Sequence, residues 1–415
     1  MSRLRSASRR SFEALGSYNF RLYFSGQLLS MIGGGMQMLA LTWLVLDLTD
    51  SAWQLGFVIA LMTIPNLLLG PWTGSVADRI DDRLILIVTS VAQMVFAATL
   101  GVLVATEHIG LPAIWAMALA GGLAGTFERP AGQALLFELV GPDTLSSAVG
   151  LNSTLNATSR LLGPALAGVM IATVGMASCF FVNAVSFLFV VGAVLMLRTD
   201  AFHPRRAPAK GVRARDGLTY VWANPVLRRA LLAMAVIGTL SYNFAQMVPS
   251  MVRFEFHAGP GALGIVQGIS AATSIVGGVI AASVTRPTTR IVGFAAFGFG
   301  VTIACASASP SLAVFALVWL PAGLGSGLYL SLTQVLLQRW TAPEFQGRVM
   351  GLFSMAWIGT TPFGSVIQGF IIDRWSARVG LAVAATTAMV VGLFLLAGKV
   401  RHLTSVDGSA GDQPW

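Results

Sequence analysis

Charge, histidine and cysteine are all scarce in this sequence. Asp, Glu, Lys and Arg make up only 10% of its 415 residues, against about 25% in a soluble domain. Hydrophobic residues reach 55% and mean hydropathy is +0.75. So much apolar surface has no place in a water-facing fold. Intrinsic disorder is excluded by the same numbers, because it needs low hydrophobicity and high charge. Cys179 and Cys305 are the only cysteines, too few for a disulfide scaffold, and each reads as a small hydrophobe in an apolar stretch. The four histidines, His108, His203, His257 and His402, fall in loops or tails, so no metal cluster is visible and no cofactor is expected. No nucleophile-and-base arrangement stands out, so an enzyme is not expected either. A polytopic membrane protein remains.

What the sequence does have is long apolar runs. They do not alternate as membrane β-strands would, so an all-α membrane protein is expected. A spanning helix needs about 20 residues, and twelve stretches can be marked near 20–46, 53–77, 84–105, 113–137, 146–171, 177–197, 229–250, 261–283, 291–308, 312–337, 349–371 and 379–398. Residues 1–19 are polar and basic and lack the apolar core of a signal peptide. With the N-terminus inside and the chain alternating sides, 20 of the 26 Lys and Arg fall on inner segments. The positive-inside rule then puts both termini in the cytoplasm. The net charge of +9 reads as this orientation signal and as contact with the lipid bilayer, not as a nucleic-acid site.

The longest polar interruption, 198–227, divides the chain into a segment 1–19, a six-helix bundle 20–197, a cytoplasmic linker 198–227, a second bundle 228–398 and a tail 399–415. The bundles look like repeats. A shift of 201 places Gly150, Gly163 and Gly168 on Gly351, Gly364 and Gly369, and a shift of 208 places Gly56 and Gly70 on Gly264 and Gly278. Duplicated helical units that rock about a midplane site are characteristic of secondary transporters.

Three motifs carry a family resemblance. Between the second and third stretches stand Gly74, Asp78, Arg79 and Arg83. A glycine, an aspartate four residues on and then basic residues in this loop resemble the major facilitator superfamily. Asp81 and Asp82 depart from that pattern. In the fifth stretch, Gly163-Pro164 with Gly168 resembles the motif of facilitator antiporters, where small residues let helices approach closely. Asn19-Phe20-Arg21-Leu22-Tyr23-Phe24-Ser25-Gly26-Gln27, and Thr126-Phe127-Glu128-Arg129-Pro130-Ala131 followed by Pro142 and Asn152, are similar to the macrolide-efflux and enterobactin-exporter branch. Relatives often carry an acid in the middle of the first helix, where this chain has Gly33-Gly34-Gly35. The resemblance covers about 18–398. It implies twelve helices in two pseudo-symmetric bundles, a monomer in the bacterial inner membrane, and proton-coupled export of small amphipathic molecules such as drugs or siderophore-like metabolites. No phosphate-binding glycine loop ends in Lys-Ser or Lys-Thr, which argues against ATP as the energy source.

The same resemblance assigns roles. Asp78 caps a helix of the other bundle as a gate latch, with Gln346-Gly347-Arg348 as its counterpart. Helices 1, 4, 7 and 10 face the cavity, which nominates Gln37, Trp43, Tyr242, Asn243, Gln246, Trp319, Tyr329 and Gln334, with Asn66, Asn156 and Trp357 from neighbouring helices. Aromatic faces with amides suit bulky amphipathic ligands. Asp47, at the outer mouth, reads as solvated. Ionisable groups inside a bilayer cost about 2.5–3.5 kcal/mol by insertion scales, and only Glu128, Arg129 and Arg160 fall well inside spans. Two readings stay open: a fixed ion pair of Glu128 with Arg129 or Arg160, or a proton-coupling acid at Glu128. A lipid or lysolipid flippase of the same fold and a non-transporting sensor are the rival functions.

Overall fold

Without water to satisfy it, a membrane-buried backbone must close its hydrogen bonds internally, and the helix does so within one segment. The computed structural model describes residues 12–77, 80–141, 144–203 and 214–397, and these fold into helices and their connections. The first set of long helices is α1 (Tyr18–Thr49), α2 (Ala52–Ala77), α3 (Asp82–Ala105), α4 (Leu111–Leu139), α5 (Leu145–Thr173) and α6 (Ala177–Leu195). A short helix, α7 (Ala214–Ala223), lies in the linker segment. Then follow α8 (Pro225–Leu240), α9 (Phe244–Ser250), α10 (Pro260–Ser283), α11 (Thr289–Ser307), α12 (Leu312–Arg339), α13 (Gln346–Ser354), α14 (Thr361–Arg374) and α15 (Ala377–Ala397). Local chemistry sets several starts. The side chains of Ser17, Asn224, Thr288 and Ser311 accept hydrogen bonds from the free backbone N–H groups of α1, α8, α11 and α12.

Eleven segments among the described residues are long and apolar enough to cross a membrane. The twelve expected stretches correspond to these eleven plus α5. That helix is 29 residues long but carries Asn152, Asn156 and Arg160, which lower its hydropathy. Two expected spans are not continuous α-helices. The 229–250 stretch breaks at Ser241–Asn243 between α8 and α9 and continues as a π-helical turn, Met251–Glu255. The 349–371 stretch is interrupted by a second π-turn, Met355–Gly359, between α13 and α14. The polar interruption 198–227 is not all coil, since it contains α7.

The packing repeats. α1 packs on α5 and α6, α2 on α4, and α3 on α4 and α6; correspondingly, α8 packs on α14 and α15, α10 on α12, and α11 on α12 and α15. Two seams join the halves, α2 with α14 and α5 with α10, and four of the glycines that align under the sequence shifts, Gly56, Gly264, Gly168 and Gly369, build them. A Cβ on Gly56 would collide with the carbonyl of Ser365, and one on Gly264 with the carbonyl of Pro164. Ser365 and Pro164 are themselves 201 residues apart, so the two contacts are one contact used twice. Gly168 meets Gly264, and its counterpart Gly369 meets Ala52 and Trp53. Within the halves, Gly163 lies against Gly35 and Gly364 against Thr239. Such contacts bring backbones together for dispersion where lipid offers no hydrophobic drive.

Candidate functional site

The helices leave a cavity of about 250 Å³. It is lined by α1, α2, α3, α4 and α6, with Ile358 of the π-turn as its one residue from the second half. Its polar lining is Gln37, Thr63, Asn66, Gln93, Thr126, Glu128 and Arg129; its apolar lining includes Met62, Phe96, Met117 and Phe187. Glu128 lies 17 residues beyond Leu111, so about 26 Å along α4, and Gln93 on α3 donates a hydrogen bond from Nε2 to Glu128 Oε2. Pro130, inside α4, has no N–H and so frees the carbonyl of Thr126 from its helical partner. Of the two readings left open for Glu128, neither is decided by this geometry: among the described residues its carboxyl accepts a hydrogen bond from Gln93, while Arg129 stands next to it in the cavity lining. Gln93 escaped the sequence reading, although a lone amide inside the apolar 84–105 stretch was a usable signal.

The other nominated residues divide. Gln37, Asn66, Glu128 and Arg129 line the cavity. Trp43 is in the core, with the Arg253 guanidinium 5.7 Å from its ring centre. Tyr242, Trp319 and Tyr329 belong to an aromatic cluster with Phe244, Phe299 and Phe315 inside the second half. Tyr242 Oη donates to the carbonyl of Ser326 at 2.5 Å. Asn243 Nδ2 donates to the Thr239 carbonyl, which the break after α8 leaves free. Gln334 is exposed on α12, and Asn156 is exposed with its amide on the Asn152 carbonyl. Trp357 is half-buried beside Ile358 and packs on Phe353.

Among the described residues, several polar contacts between the halves gather at the end of the bundle that carries the short loops. Asp373, at the end of α14, accepts from Ser51 Oγ at 2.5 Å, Ala52 N at 2.6 Å and Trp53 N at 3.0 Å. It thereby caps the N-terminus of α2 from across the seam. Asp47 is not merely solvated: Arg253 pairs with it and with Asp50, each at 2.8 Å. Deeper in, Gln246 Nε2 donates to the Ala52 carbonyl at 2.7 Å and Ser365 Oγ to the Gly56 carbonyl at 2.9 Å. This end is shut. No sequence spacing announced these partners, since more than 190 residues separate each pair.

At the opposite end, Gly74 falls within α2, while Asp78 and Arg79 lie outside the described residues. Arg83 donates to the Val194 carbonyl at 3.4 Å. Arg348 lies 4.7 Å from the ring centre of Phe345 and meets α7 at Gly217. Tyr220 of α7 stacks on Phe345 at 4.2 Å and accepts from Ala342 N at 3.0 Å, which fastens the linker helix to the connection before α13.

Comparison with known proteins agrees with this architecture. The fold is similar to the nucleoside transporter NupG (TM-score 0.73, 12% identity, 92% of this chain and 98% of that one). It is also similar to a bacterial homologue of the human lysosomal transporter Spinster in an inward-facing, unoccupied conformation (TM-score 0.70, 13% identity, 91% and 95%). In sequence the chain is 24% identical to macrolide efflux protein A of Streptococcus pyogenes over 95% of its own length and 99% of the relative's. It is 24% identical to the staphyloferrin A transporter of Staphylococcus aureus (85% and 89%) and 24% identical to the multidrug efflux pump Tap of Mycolicibacterium fortuitum (87% and 91%). The transmembrane secretion effector family matches residues 10–415. A multi-pass helical chain of this fold, matched along nearly its whole length, belongs to the transmembrane secretion effector family of major facilitator transporters.

Proposed function

We propose that this transporter exports small amphipathic molecules by alternating access, in exchange for protons. The halves 20–197 and 228–398 rock about the two glycine-lined seams, tethered by the linker 198–227, with both termini in the cytoplasm and the protein acting as a monomer in a bacterial inner membrane. One observation carries the reading: a cavity of about 250 Å³ that joins an acid and several amides to Met and Phe side chains, beneath an end closed by contacts that must break for release. A ligand with an apolar body and a polar or cationic group finds complementary surface there. Three of the relatives named above are drug or siderophore transporters, which supports the same class of cargo.

Glu128 is the group proposed to carry the proton. Its hydrogen-bond donor is the neutral amide of Gln93, with Arg129 beside it in the lining, so gain or loss of a proton does not require a hydrogen-bonded ion pair to be broken. Gly33-Gly34-Gly35 leave α1 with no competing acid at that level. The test is transport in liposomes under an imposed pH gradient, with a panel of fluorescent amphipathic cations and labelled lysolipids, for the wild type and Glu128→Gln. Gradient-driven dye movement that Glu128→Gln abolishes is expected. Gradient-driven movement that survives in Glu128→Gln overturns the coupling role. Lysolipid movement that ignores the gradient replaces antiport with a flippase.

A further inference from the structure

A second, larger hollow opens on the side of the first half. It is a groove of about 600 Å³ where α5 and α6 both pack on α1 but hardly on each other. Leu29, Ile32 and Met36 form its floor, and Val169, Val185 and Phe189 its banks. Apart from Thr173 and Ser186 the polar side chains of the fold avoid it. It runs beside the middle of α1, a helix of 32 residues, so the medium in front of it is hydrocarbon and not water.

The wall between groove and cavity is one side chain thick. Met36 faces the groove and Gln37 the cavity; Ser186 faces the groove and Phe187 the cavity. A hydrogen bond closes the wall, from Asn183 Nδ2 on α6 to Gln37 Oε1 on α1 at 2.7 Å. Asn183 is only 3% exposed and also holds Ser186 Oγ at 3.1 Å. Gly33 makes the closure possible, because a Cβ there would strike Asn183 Oδ1 and Ser186 Oγ. A buried amide pair in an otherwise apolar seam is a costly way to pack helices. It is, however, a bond that a polar ligand group can replace.

We propose that the groove between α1, α5 and α6 is a side entrance from the bilayer, which takes the hydrocarbon part of an amphipathic substrate and passes it to the cavity when the Gln37–Asn183 bond opens. This rests on the reading of the chain as an exporter of amphipaths. The occupant is a membrane-dissolved amphipath because the groove faces hydrocarbon, its lining is apolar, and it ends on the wall of the polar cavity. Phe189, Met36 and Met170 give the lining the adaptable surface that varied apolar bodies need.

Val185→Trp fills the groove without touching Gln37, Glu128 or the closed end. In liposomes the probes are the trimethylammonium derivative of diphenylhexatriene, which resides in the bilayer, and ethidium, which is delivered from water. Filling an apolar site is expected to slow the bilayer probe by about tenfold while ethidium stays within about twofold. Equal effects on both probes, or on neither, overturn the entrance. A second measurement does not need transport. Val185→Cys in a Cys179→Ala, Cys305→Ser background is alkylated by pyrene maleimide from the bilayer. The diphenylhexatriene probe is expected to slow that labelling by about tenfold and ethidium to leave it unchanged. Labelling that ignores the bilayer probe overturns the groove as its site. If the wild type moves neither dye yet the probe protects Val185→Cys, the export reading fails while the groove stands as a binding site.

Discussion

Removing the Asp373 carboxyl should release the closed end. In the wild type this one side chain accepts three hydrogen bonds from Ser51, Ala52 and Trp53 across the α14–α2 seam. Losing a helix N-cap costs about 1 kcal/mol, with a range of roughly 0.5–2. Losing a negative charge at the positive end of a helix adds about 0.3–1 kcal/mol. Asp373 is exposed, so the lower part of each range applies and the sum is about 1–2 kcal/mol. The neighbouring Arg253 pairs involve side chains with 22%, 54% and 77% exposure, which puts each in the lower half of the usual range of about 0.2–1 kcal/mol and the two together at about 0.4–1.2 kcal/mol. The cap should therefore outweigh the ion pairs. If the carboxyl is free in water once the end opens, Asp373→Ala penalises only the closed state. It then shifts the equilibrium toward opening by about 5–30-fold, and Arg253→Gln shifts it less. Spin labels at Glu107 and His257, in short-loop-end connections of the two halves, report the change by double electron–electron resonance. Growth of a longer-distance population is the expected result. An unchanged distance distribution in Asp373→Ala, together with a lower melting temperature, would make Asp373 a static brace and refute the gate.

Other consequences follow from the same contacts. Gly56→Val and Gly264→Val overpack equivalent points of the two seams, so each should destabilise the protein by about 1–3 kcal/mol in denaturant titration. Gly34→Ala meets no neighbouring atom and, inside a helix, should stabilise by about 0.5–1 kcal/mol. Glu128→Gln keeps an acceptor for Gln93 and should melt near the wild type, whereas Glu128→Leu strands the half-buried amide and should cost about 1 kcal/mol, the low end for an unmade hydrogen bond. Tyr220→Ala removes the stack on Phe345 and the acceptor for Ala342; the linker should then be cut faster by protease, with melting of the helical bundle little changed.

The spans were legible because burial in lipid writes hydropathy directly into sequence, and ends such as 312–337 against Leu312–Arg339 differ by little. The glycine repeats were legible for a related reason. A seam between two halves of similar packing uses the same register twice, so Gly56 and Gly264 announced themselves before their partners were known. The closed end was not legible. Asp373, Arg253 and Gln246 meet residues about 200–320 positions away, and no local periodicity encodes such a pairing. The cavity was half legible. Glu128 was named because a charge inside an apolar helix needs a reason, and Gln37 and Asn66 as polar residues on or beside the helices that the family resemblance turns to the cavity. Tyr242, Trp319 and Tyr329 were named on aromatic character, which a membrane interior satisfies equally well by packing.

The π-turn Met355–Gly359 links the two outcomes. It supplies Ile358, the second half's contribution to the cavity, and its carbonyls press on Gly238 of α8. It is continuous with α14, whose last turn carries Asp373. Single π-turns of this kind are frequent at functional sites. A ligand that displaced Ile358 would act on the same rod that holds the closed end, about 15 residues or 22 Å away along the helix. Most of the cavity belongs to the first half, but under the proposed alternating access its link to the closed end would run through the second, by way of Ile358 and α14.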